Sequence, residues 1–472
     1  MYPKNYYTDL FKVTDAQLQE LTRTAIGHGG DYCDLYFEHT TYFNLQLRDG
    51  IVSSGGFHTD FGVGIRVLKG EKTGYAYSEN TEMKDMLAAA KAASAIAAGY
   101  SASQRTYAPV KDVRHDLYPM KISWREKGAN EFLPFLNDLE KAILEKDNRV
   151  VKVIIRLSDY ISDVMMYNSL GELTCDTRPM GSISVTTVFQ QDGKTENRSV
   201  SRSFRIGAEL IGPALMDEIA ADAVKGIDER FEAIRPKGGQ MSVVMGAGAS
   251  GILLHEAMGH AFEADFNRKG QSIFSDKLGK QVCPKEVNVV DDGMVAFNRG
   301  SGNYDDEGVA AEKTYMVKDG ILCSYLHDRI SASWYGVAPT GNGRRENFRY
   351  NPIPRMRATY MESGNADPES MIASVKNGIY VDEFSNGQVK IGEGDFTFFV
   401  KSGFLIENGR LSAPVKDINI IGNGPQALAD ILAVGNDLKI DNGTWTCGKE
   451  QSVPVSCGMP TVLINSLTVG GE

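Results

Sequence analysis

The chain has 472 residues, of which 24% are charged and 42% hydrophobic, and its formal net charge is −11. This length is enough for about two to four domains with a large buried interior. No apolar run approaches the ~20 residues that cross a bilayer, and the acidic balance disfavours direct binding to nucleic-acid phosphates. The composition therefore predicts a globular protein with no membrane span and no direct nucleic-acid partner.

The N-terminal segment MYPKNYYTDLFKVTD lacks the apolar stretch of an export signal. The cysteines are dispersed, and no two of them form a CxxC pair, which suits a reducing compartment better than a disulfide framework. They are Cys33, Cys175, Cys283, Cys323, Cys447 and Cys457. The cytoplasm is the expected location.

Residues 1–105 are predicted to form an N-terminal α+β module. Thr14-Asp15-Ala16-Gln17 has the pattern of a capping box that opens a short helix. Alternating polar and apolar residues predict strands over 34–46 and 62–68. The alanine-rich segment 82–98 then predicts a helix that closes the module.

Residues 106–236 are predicted to form a central α+β module. A helix over 129–146 precedes strands over 150–157 and 183–190, and the turn Gln191-Asp192-Gly193 indicates a hairpin. A last helix over 213–234 ends at the helix-breaking sequence RPKGG, which marks the main domain boundary.

Residues 237–472 carry few helical patterns among many short strand-like runs and glycine turns. They are predicted to form one large β-rich domain. The fold class expected for the whole chain is therefore α+β, with smaller N-terminal α/β modules followed by a large β-rich C-terminal domain.

The most informative segment lies at 255–260 and reads HEAMGH. Imidazole is a good zinc ligand, and a carboxylate beside the metal can take a proton from water. Zinc proteases usually carry HExxH, whereas here His260 comes one residue later. On a regular α-helix the two histidines would point about 140° apart. The sequence therefore predicts a π-bulge that returns both to one face, with Gly259 suitably placed for it.

Two other interpretations of this region stay open. The histidines could be two unrelated helix residues. In addition, a strand-like run at 241–245 is followed by Gly246-Ala247-Gly248-Ala249-Ser250-Gly251, which imitates a dinucleotide-binding fingerprint. A Rossmann unit would require an acid at the end of the next strand, whereas Glu263 and Asp265 continue a helical pattern. The glycines would instead let the start of the helix pack tightly.

Further ligand candidates lie elsewhere in the sequence. Glu263 stands three residues after His260 and is a possible third ligand or an ion-paired acid. His327 and the acids of Asp305-Asp306-Glu307-Gly308 are weaker candidates, since acidic runs usually form solvated turns. Cys447 is the first choice, because it lies in a glycine-flanked loop where Lys449 would favour the thiolate.

Several motifs in this order make the chain resemble the TldD/PmbA family of metalloproteases over nearly its whole length. They are the HExxxH at 255–260, YDDEG at 304–308, PTGNGRRE at 339–346, PRM at 354–356, VGND at 434–437, CGK at 447–449 and LTVGG at 467–471. The intact HExxxH is typical of the catalytic TldD-like branch. The resemblance implies a zinc peptidase for peptides or unfolded segments, with His255, His260 and Cys447 as zinc ligands and Glu256 as catalytic acid.

The resemblance also implies a dimer, either a homodimer or a heterodimer with a PmbA/TldE-like paralogue. Older labels call the family modulators of DNA gyrase, which peptide processing would explain without DNA contact. In one respect the chain departs from the family. The loop after Cys447 is one glycine shorter than usual. In addition, Cys457 occupies a later position that is commonly not cysteine in the family.

The hypothesis for function is a metallopeptidase that uses no organic cofactor. The alternative is a metal-stabilised scaffold or binding subunit without turnover, which a fourth protein ligand would favour. Arg344, Arg345 and His327 are candidates for stabilising an oxyanion, and the sequence does not choose among them.

Overall fold

The computed structural model describes residues 2–99, 105, 107 and 115–471. Within these residues, no helix combines the length and the apolar character needed to span a bilayer. The fold is α+β, as predicted, with smaller mixed modules followed by a β-rich C-terminal part.

The described helices are mostly short, and the longest of them cover one sheet near the N terminus. The α-helices are α1 (Lys4–Phe11), α2 (Asp15–Ile26), α3 (Met83–Ser94), α4 (Ala129–Lys146), α5 (Pro213–Asp222), α6 (Ile227–Glu232), α7 (Ile252–Leu254), α8 (Ala264–Arg268), α9 (Arg329–Tyr335), α10 (Pro368–Ser374) and α11 (Gly424–Ala429). Short 3-10 helices span Ala95–Ala97, Trp124–Glu126, Ala208–Leu210, Ala249–Gly251 and His260–Phe262, and a π-helix spans His255–Gly259.

The strands fall into two groups along the chain. The first six are β1 (Tyr32–Arg48), β2 (Ile51–Lys69), β3 (Lys72–Ser78), β4 (Val150–Asn168), β5 (Leu173–Gln191) and β6 (Lys194–Phe204). The later strands are β7 (Gly239–Met245), β8 (Val289–Asp292), β9 (Lys313–Lys318), β10 (Ile321–Leu322), β11 (Gly343–Arg344), β12 (Ile353–Pro354), β13 (Ala358–Met361), β14 (Asn377–Val389), β15 (Asp395–Glu407), β16 (Arg410–Val415), β17 (Ile418–Asn423), β18 (Ile431–Val434), β19 (Lys439–Ile440), β20 (Thr446–Lys449), β21 (Gln451–Pro454), β22 (Ser456–Met459) and β23 (Val462–Gly470).

The first six strands form one sheet in the order β3-β2-β1-β4-β5-β6. Its central pairing joins β1 to β4 in antiparallel register, with Asp34 opposite Asn168. This pairing connects strands from the two modules predicted over 1–105 and 106–236. The predicted boundary between those modules, at 105/106, falls in a segment of which 106 and 108–114 lie outside the described residues. This boundary and the one predicted at 236/237 stay predictions.

One face of this sheet carries two separate hydrophobic cores. Side chains alternate between the faces of a strand, so residues of equal parity in β1 share a face. Near the start of β1 the buried residues pack against α1, α2 and α3, whereas near its end they pack against α4 and α5. The first group is Cys33, Leu35 and Phe37, and the second is Leu45 and Leu47. Both helical layers thus cover the same face, which leaves the other face for the C-terminal part.

The second face of the sheet contacts the C-terminal part through buried ion pairs. Arg66 on β2 is fully buried and contacts both Asp34 and Glu307, the latter at 2.7 Å. Asp306 pairs with Arg178 of β5. The expectation that the acidic run at 305–308 is a solvated turn is therefore wrong, because its three carboxylates are buried and those of Asp306 and Glu307 contact arginines of the sheet.

The C-terminal part contains two larger sheets and a shared core. Seven strands form one sheet, in the order β14-β7-β23-β17-β15-β16 with β18 paired to β23, and six form the other, in the order β10-β9-β8-β13-β22-β19. The main hydrophobic core of this part includes residues of the π-helix, such as Ala257 and Met258. The segment with the two histidines is therefore an interior element of the domain.

Several local predictions are confirmed, and others need correction. Thr14 caps α2 in a capping box with Gln17, and the turn between β5 and β6 has Asp192 and Gly193 at φ 49° and 76°. The single helix predicted over 213–234 is wrong. The structure has two helices, α5 and α6, because Gly226 adopts a left-handed φ of 70° between them. A residue with positive φ cannot continue a right-handed helix.

Candidate metal centre

The chain places His255 and His260 on one distorted helical segment. After β7 the backbone passes through a 3-10 turn and α7 and then forms the π-helix His255–Gly259. The two imidazole rings lie 5.1 Å apart, centroid to centroid, at an interplanar angle of 80°. A π-turn accommodates one extra residue, so positions i and i+5 return to the same side. The predicted π-bulge is confirmed.

Glycines in this segment allow close packing. A Cβ on Gly259 would lie 2.0 Å from the Met356 sulfur, so any larger residue would displace Met356 or the helix. A Cβ on Gly251 would lie 2.5 Å from the backbone nitrogen of Gly458. The glycine run at 246–251 is thus packed against β22 at its end, which disfavours the nucleotide-binding alternative. The helical pattern predicted through Glu263 is also interrupted, because Glu263 is extended.

The third member of the site arrives from far along the chain. Cys447 lies on β20 and pairs with Val453 of β21 in a two-stranded hairpin. Its Sγ lies 3.2 Å from Nε2 of His260. One ligand atom from each of His255, His260 and Cys447 lies within 4.8 Å of the others, and all three residues are buried. The structure therefore brings together the three residues that were predicted as metal ligands.

The electrostatics of this cluster favour an ionised thiol. Burial raises the pKa of Cys447, but the charges and hydrogen bonds of His255 and His260 outweigh it and lower that pKa to about 4. Burial lowers the pKa of His260, whereas Glu263 and Cys447 raise it to about 10. A thiolate is the form of cysteine that binds metal. The shifts describe a thiolate–imidazolium pair, in which a bound metal ion would take the place of the imidazole proton.

Glu263 lies behind His260. Its Oε2 is 2.9 Å from His260 Nδ1, the nitrogen that faces away from Cys447. Despite full burial, the charges of Lys449 and His260 lower the pKa of Glu263 to about 2. A carboxylate on the second ring nitrogen fixes the orientation of a ligating histidine. Of the two roles considered for Glu263, the structure therefore favours the ion-paired one over that of a third ligand.

Lys449 and Arg355 complete this supporting layer. Lys449 Nζ lies 3.0 Å from Glu263 and 2.8 Å from Asp265. Arg355 is fully buried and donates to the carbonyl oxygen of Cys447 at 2.6 Å. The expectation that Lys449 ionises Cys447 is therefore wrong, because its ammonium binds carboxylates and the two histidines lower the thiol pKa. Residue-by-residue reasoning missed Arg355, although the PRM motif contains it.

The three residues fit a zinc ion by donor type and spacing. Zinc accepts imidazole nitrogen at about 2.0–2.1 Å and thiolate sulfur at about 2.3 Å. The observed ligand atoms lie within 4.8 Å of one another, a separation that one ion can bridge at such distances. The buried Nδ1 of His255 has no hydrogen-bond partner among the described residues. With three ligands from the described chain, one position around a tetrahedral ion would stay open.

Glu256 follows His255 directly and is only partly buried. Its carboxylate makes no hydrogen bond to any residue that the structure describes. Cys457 lies nearby on β22, where burial raises its thiol pKa well above the usual range and the charges of Asp441 and Glu256 add to the effect. Cys457 is therefore a neutral neighbour of the site.

The three candidates for oxyanion stabilisation are all buried. Arg344 donates to the carbonyl oxygens of Met356 and Pro454, and Arg345 stacks on Tyr36 with its guanidinium carbon 4.2 Å from the ring centre. Burial lowers the pKa of His327 to about 4. None of these three hydrogen-bonds to the metal-ligand cluster within the described chain. Arg344 is linked to the cluster indirectly, because it donates to the carbonyl oxygen of Met356, whose side chain packs on Gly259.

Comparison with known proteins gives a consistent result over the whole chain. Family models for a PmbA/TldA metallopeptidase match residues 33–97 as domain 1, 122–230 as the central domain and 238–471 as the C-terminal domain. The metalloprotease TldD homolog of Haemophilus influenzae is 38% identical over 452 residues, which cover 93% of each chain. The chain belongs to the PmbA/TldD metallopeptidase family. The predicted recognition is thus confirmed.

One more distant relative and two solved structures of similar fold extend the comparison. The zinc metalloprotease TldD homolog of Saccharolobus solfataricus is 28% identical over 343 residues, covering 71% of this chain and 76% of that protein. A candidate modulator of DNA gyrase from Thermotoga maritima has the same fold, with a TM-score of 0.78, 22% identity and coverage of 97% and 100%. TldE from Thermococcus kodakarensis gives a TM-score of 0.76 at 17% identity, with coverage of 96% and 100%.

In this family member, Glu263→Gln is expected to weaken zinc binding by about 10- to 100-fold, because it removes the charge that orients His260. Competition with a fluorescent zinc chelator would measure the change. Asp265→Asn is the matched control, since Asp265 also binds Lys449 but its carboxylate makes no hydrogen bond to His260. Equal zinc affinity in Glu263→Gln and the parent would contradict the positioning role.

Proposed function

We propose that this protein is a zinc-dependent metallopeptidase of the TldD type, with His255, His260 and Cys447 as zinc ligands and Glu256 as general base. The observation that carries the proposal is the convergence of two imidazoles and one thiolate in a buried cluster, with Glu256 directly after His255 in the sequence. Family membership supports peptidase activity in general. The choice of zinc rests on the donor set and on the name of the Saccharolobus relative.

Zinc bound here would supply Lewis acidity, which polarises a peptide carbonyl and makes a water molecule easier to deprotonate. The Glu256 carboxylate would accept the proton of the attacking water and return it to the nitrogen of the leaving amine. Glu263 and Arg355 would hold His260 and the backbone of Cys447 in position. In this scheme Glu263 and Arg355 act through observed hydrogen bonds, and Glu256 acts from its position directly after His255.

The proposed substrates are peptides or unfolded polypeptide segments, as the resemblance to the TldD/PmbA family implies. The proposed assembly is a dimer, either of this chain alone or with a PmbA/TldE-like paralogue. The common fold with the TldE of Thermococcus supports this assembly, since two related chains can pair through equivalent surfaces. The cytoplasmic location stays a prediction from the sequence.

A direct test uses the purified chain, alone and with any paralogue encoded beside it. Elemental analysis should find about one zinc per chain, and mass spectrometry should find new termini in an unstructured peptide. Removal of the metal by a chelator should abolish these products, and added zinc should restore them. A zinc-loaded protein that cleaves no unstructured peptide in any assembly would instead favour the metal-stabilised scaffold.

A further inference from the structure

A cavity of about 210 Å³ lies between the N-terminal sheet and the C-terminal part. The sheet contributes tyrosine rings from β1 and β4, namely Tyr36, Tyr42 and Tyr160. The C-terminal part contributes Ser452 and Pro454 of the hairpin that carries Cys447. These two residues alternate with Val453, the pairing partner of Cys447, so the cavity borders the hairpin face opposite the thiol. It is a separate space from the metal-ligand cluster.

Three buried arginines line this cavity without binding a carboxylate. Arg205 makes no side-chain hydrogen bond to any described residue. Arg357 donates through Nε to the carbonyl oxygen of Gly341 at 2.7 Å, and Arg344 donates only to backbone carbonyls. Each of the three is 5% exposed or less. Where these guanidinium groups have a hydrogen-bond acceptor in the described chain, it is a neutral backbone carbonyl oxygen.

Carboxylates in the same wall are already engaged. Asp306 binds Arg178 and the backbone nitrogen of Arg345. Glu38 accepts from the hydroxyl of Thr40 and the backbone nitrogen of Phe348. The third acid, Glu346, is exposed and accepts from the backbone nitrogen of Ser452. Among the described residues, no carboxylate therefore forms a salt bridge with Arg205, Arg344 or Arg357, although the charges of Asp305, Asp306 and Asp291 act on Arg357.

The consequence for the arginines is mutual repulsion. Burial lowers the pKa of Arg344 to about 9, and the charges of Arg357 and Arg205 contribute to the decrease. Buried charges persist in proteins when they are paired, and five arginines line this cavity against three acids, so the excess of positive charge favours a further counter-charge. An anion in the cavity would supply it.

Residues that line the cavity also carry donors without a partner. Within the described chain, Nε and Nη1 of Arg205, Nη2 of Arg357 and Oγ of Ser301 are buried and have no hydrogen-bond partner. A buried donor without an acceptor is unfavourable, so groups of this kind usually bind a ligand or ordered water. Guanidinium groups present paired N–H bonds that match the two oxygens of a carboxylate.

We propose that this cavity binds the C-terminal carboxylate of a peptide, with Arg205 and Arg357 as the main donors and the tyrosine rings around the terminal side chain. The proposal rests on the proposed peptidase function and adds a preference for peptides with a free C terminus. A peptide anchored here passes beside the hairpin that carries Cys447. The β20–β21 hairpin thus borders the cavity with one face and supplies Cys447 to the metal-ligand cluster from the other.

Binding of a single peptide pair tests the proposal without depending on turnover. The probes are a short, unstructured, N-acetylated peptide with a free C-terminal carboxylate and the same peptide as its C-terminal amide. Calorimetry on the zinc-loaded full chain carrying Glu256→Gln should show that the acid binds at least about tenfold more tightly than the amide, which corresponds to about 1.4 kcal/mol. Arg205→Gln should remove this difference.

Two further variants separate local from general effects. Ser301→Ala deletes one unpartnered hydroxyl with little change in shape, and it should reduce the difference between acid and amide. Arg235→Gln removes the same charge from an exposed arginine paired with Asp417 and should leave the difference intact. Circular dichroism would show whether each variant is folded.

Equal affinity for acid and amide in the parent, or an unchanged preference in folded Arg205→Gln, would overturn the proposal. Inorganic phosphate is a third probe. If phosphate binds in an Arg205-dependent manner and the two peptides bind equally, the cavity is a phosphate site and the carboxylate assignment is wrong. Failure of peptide hydrolysis would contradict the proposed function, yet the acid–amide comparison would still report on this cavity.

Discussion

Replacing Glu256 by glutamine is expected to lower the rate of peptide hydrolysis by about 10³-fold, because general acid–base catalysis typically contributes 10²–10⁴. The amide has nearly the same shape as the carboxylate but cannot accept a proton from water. Glu256 is not one of the three proposed zinc ligands, so its substitution should not change the zinc content. A continuous assay with an internally quenched peptide, together with elemental analysis, would measure both quantities.

The control for this substitution is Glu286→Gln, which makes the same chemical change on an exposed loop before β8. It should leave both rate and zinc content as in the parent. Undiminished hydrolysis by zinc-loaded Glu256→Gln would show that another group takes the proton. Loss of zinc together with activity would mean that Glu256 holds the metal or the helix.

Replacing Cys447 by alanine is expected to abolish both zinc retention and hydrolysis. The thiolate is one of three proposed ligands, and its removal leaves two imidazoles, which seldom hold zinc alone in proteins. After dialysis, zinc per chain should fall from about one to near zero. Elemental analysis and the same peptide assay would follow the two losses.

Cys283→Ala is a matched control, because Cys283 and Cys447 are equally buried at 4% exposure and Cys283 lies outside the metal-ligand cluster. This control variant should keep its zinc and its activity, with a modest loss of thermal stability from the deleted sulfur. If Cys447→Ala retained zinc at parental affinity, Cys447 would not be a zinc ligand.

Much of the site was predictable because its determinants are local. The spacing between His255 and His260 is incompatible with a regular α-helix that binds one ion, so the pattern alone indicates a π-turn. The structure contains that turn at His255–Gly259. Cys447 was different, because a lone cysteine in a loop is weak evidence. It was the first choice because of its glycine-flanked loop and Lys449, and the family resemblance strengthened that choice. Its nearness to His260 appears only in three dimensions.

The sequence was a poor guide where a residue's role depends on its surroundings. Lys449 was predicted to ionise the adjacent thiol, whereas its ammonium binds Glu263 and Asp265 from another element. The acids at 305–308 were predicted to be solvated, yet all three are buried, and Glu307 and Asp306 pair with Arg66 and Arg178. Long-range pairing between elements decides both cases, and the sequence records no distance between them.

By itself the sequence determined the fold class, most turns and the distorted helix with its two histidines and one acid, because periodicity, glycine placement and spacing act over a few residues. Only the tertiary structure decided that β1 pairs with β4 across the first two predicted modules, that Glu263 and Arg355 support the ligands, and that an arginine-lined cavity lies between the N-terminal sheet and the hairpin of Cys447. These features arise from contacts between segments far apart in the chain. Their energies depend on burial and charge pairing, which exist only after folding.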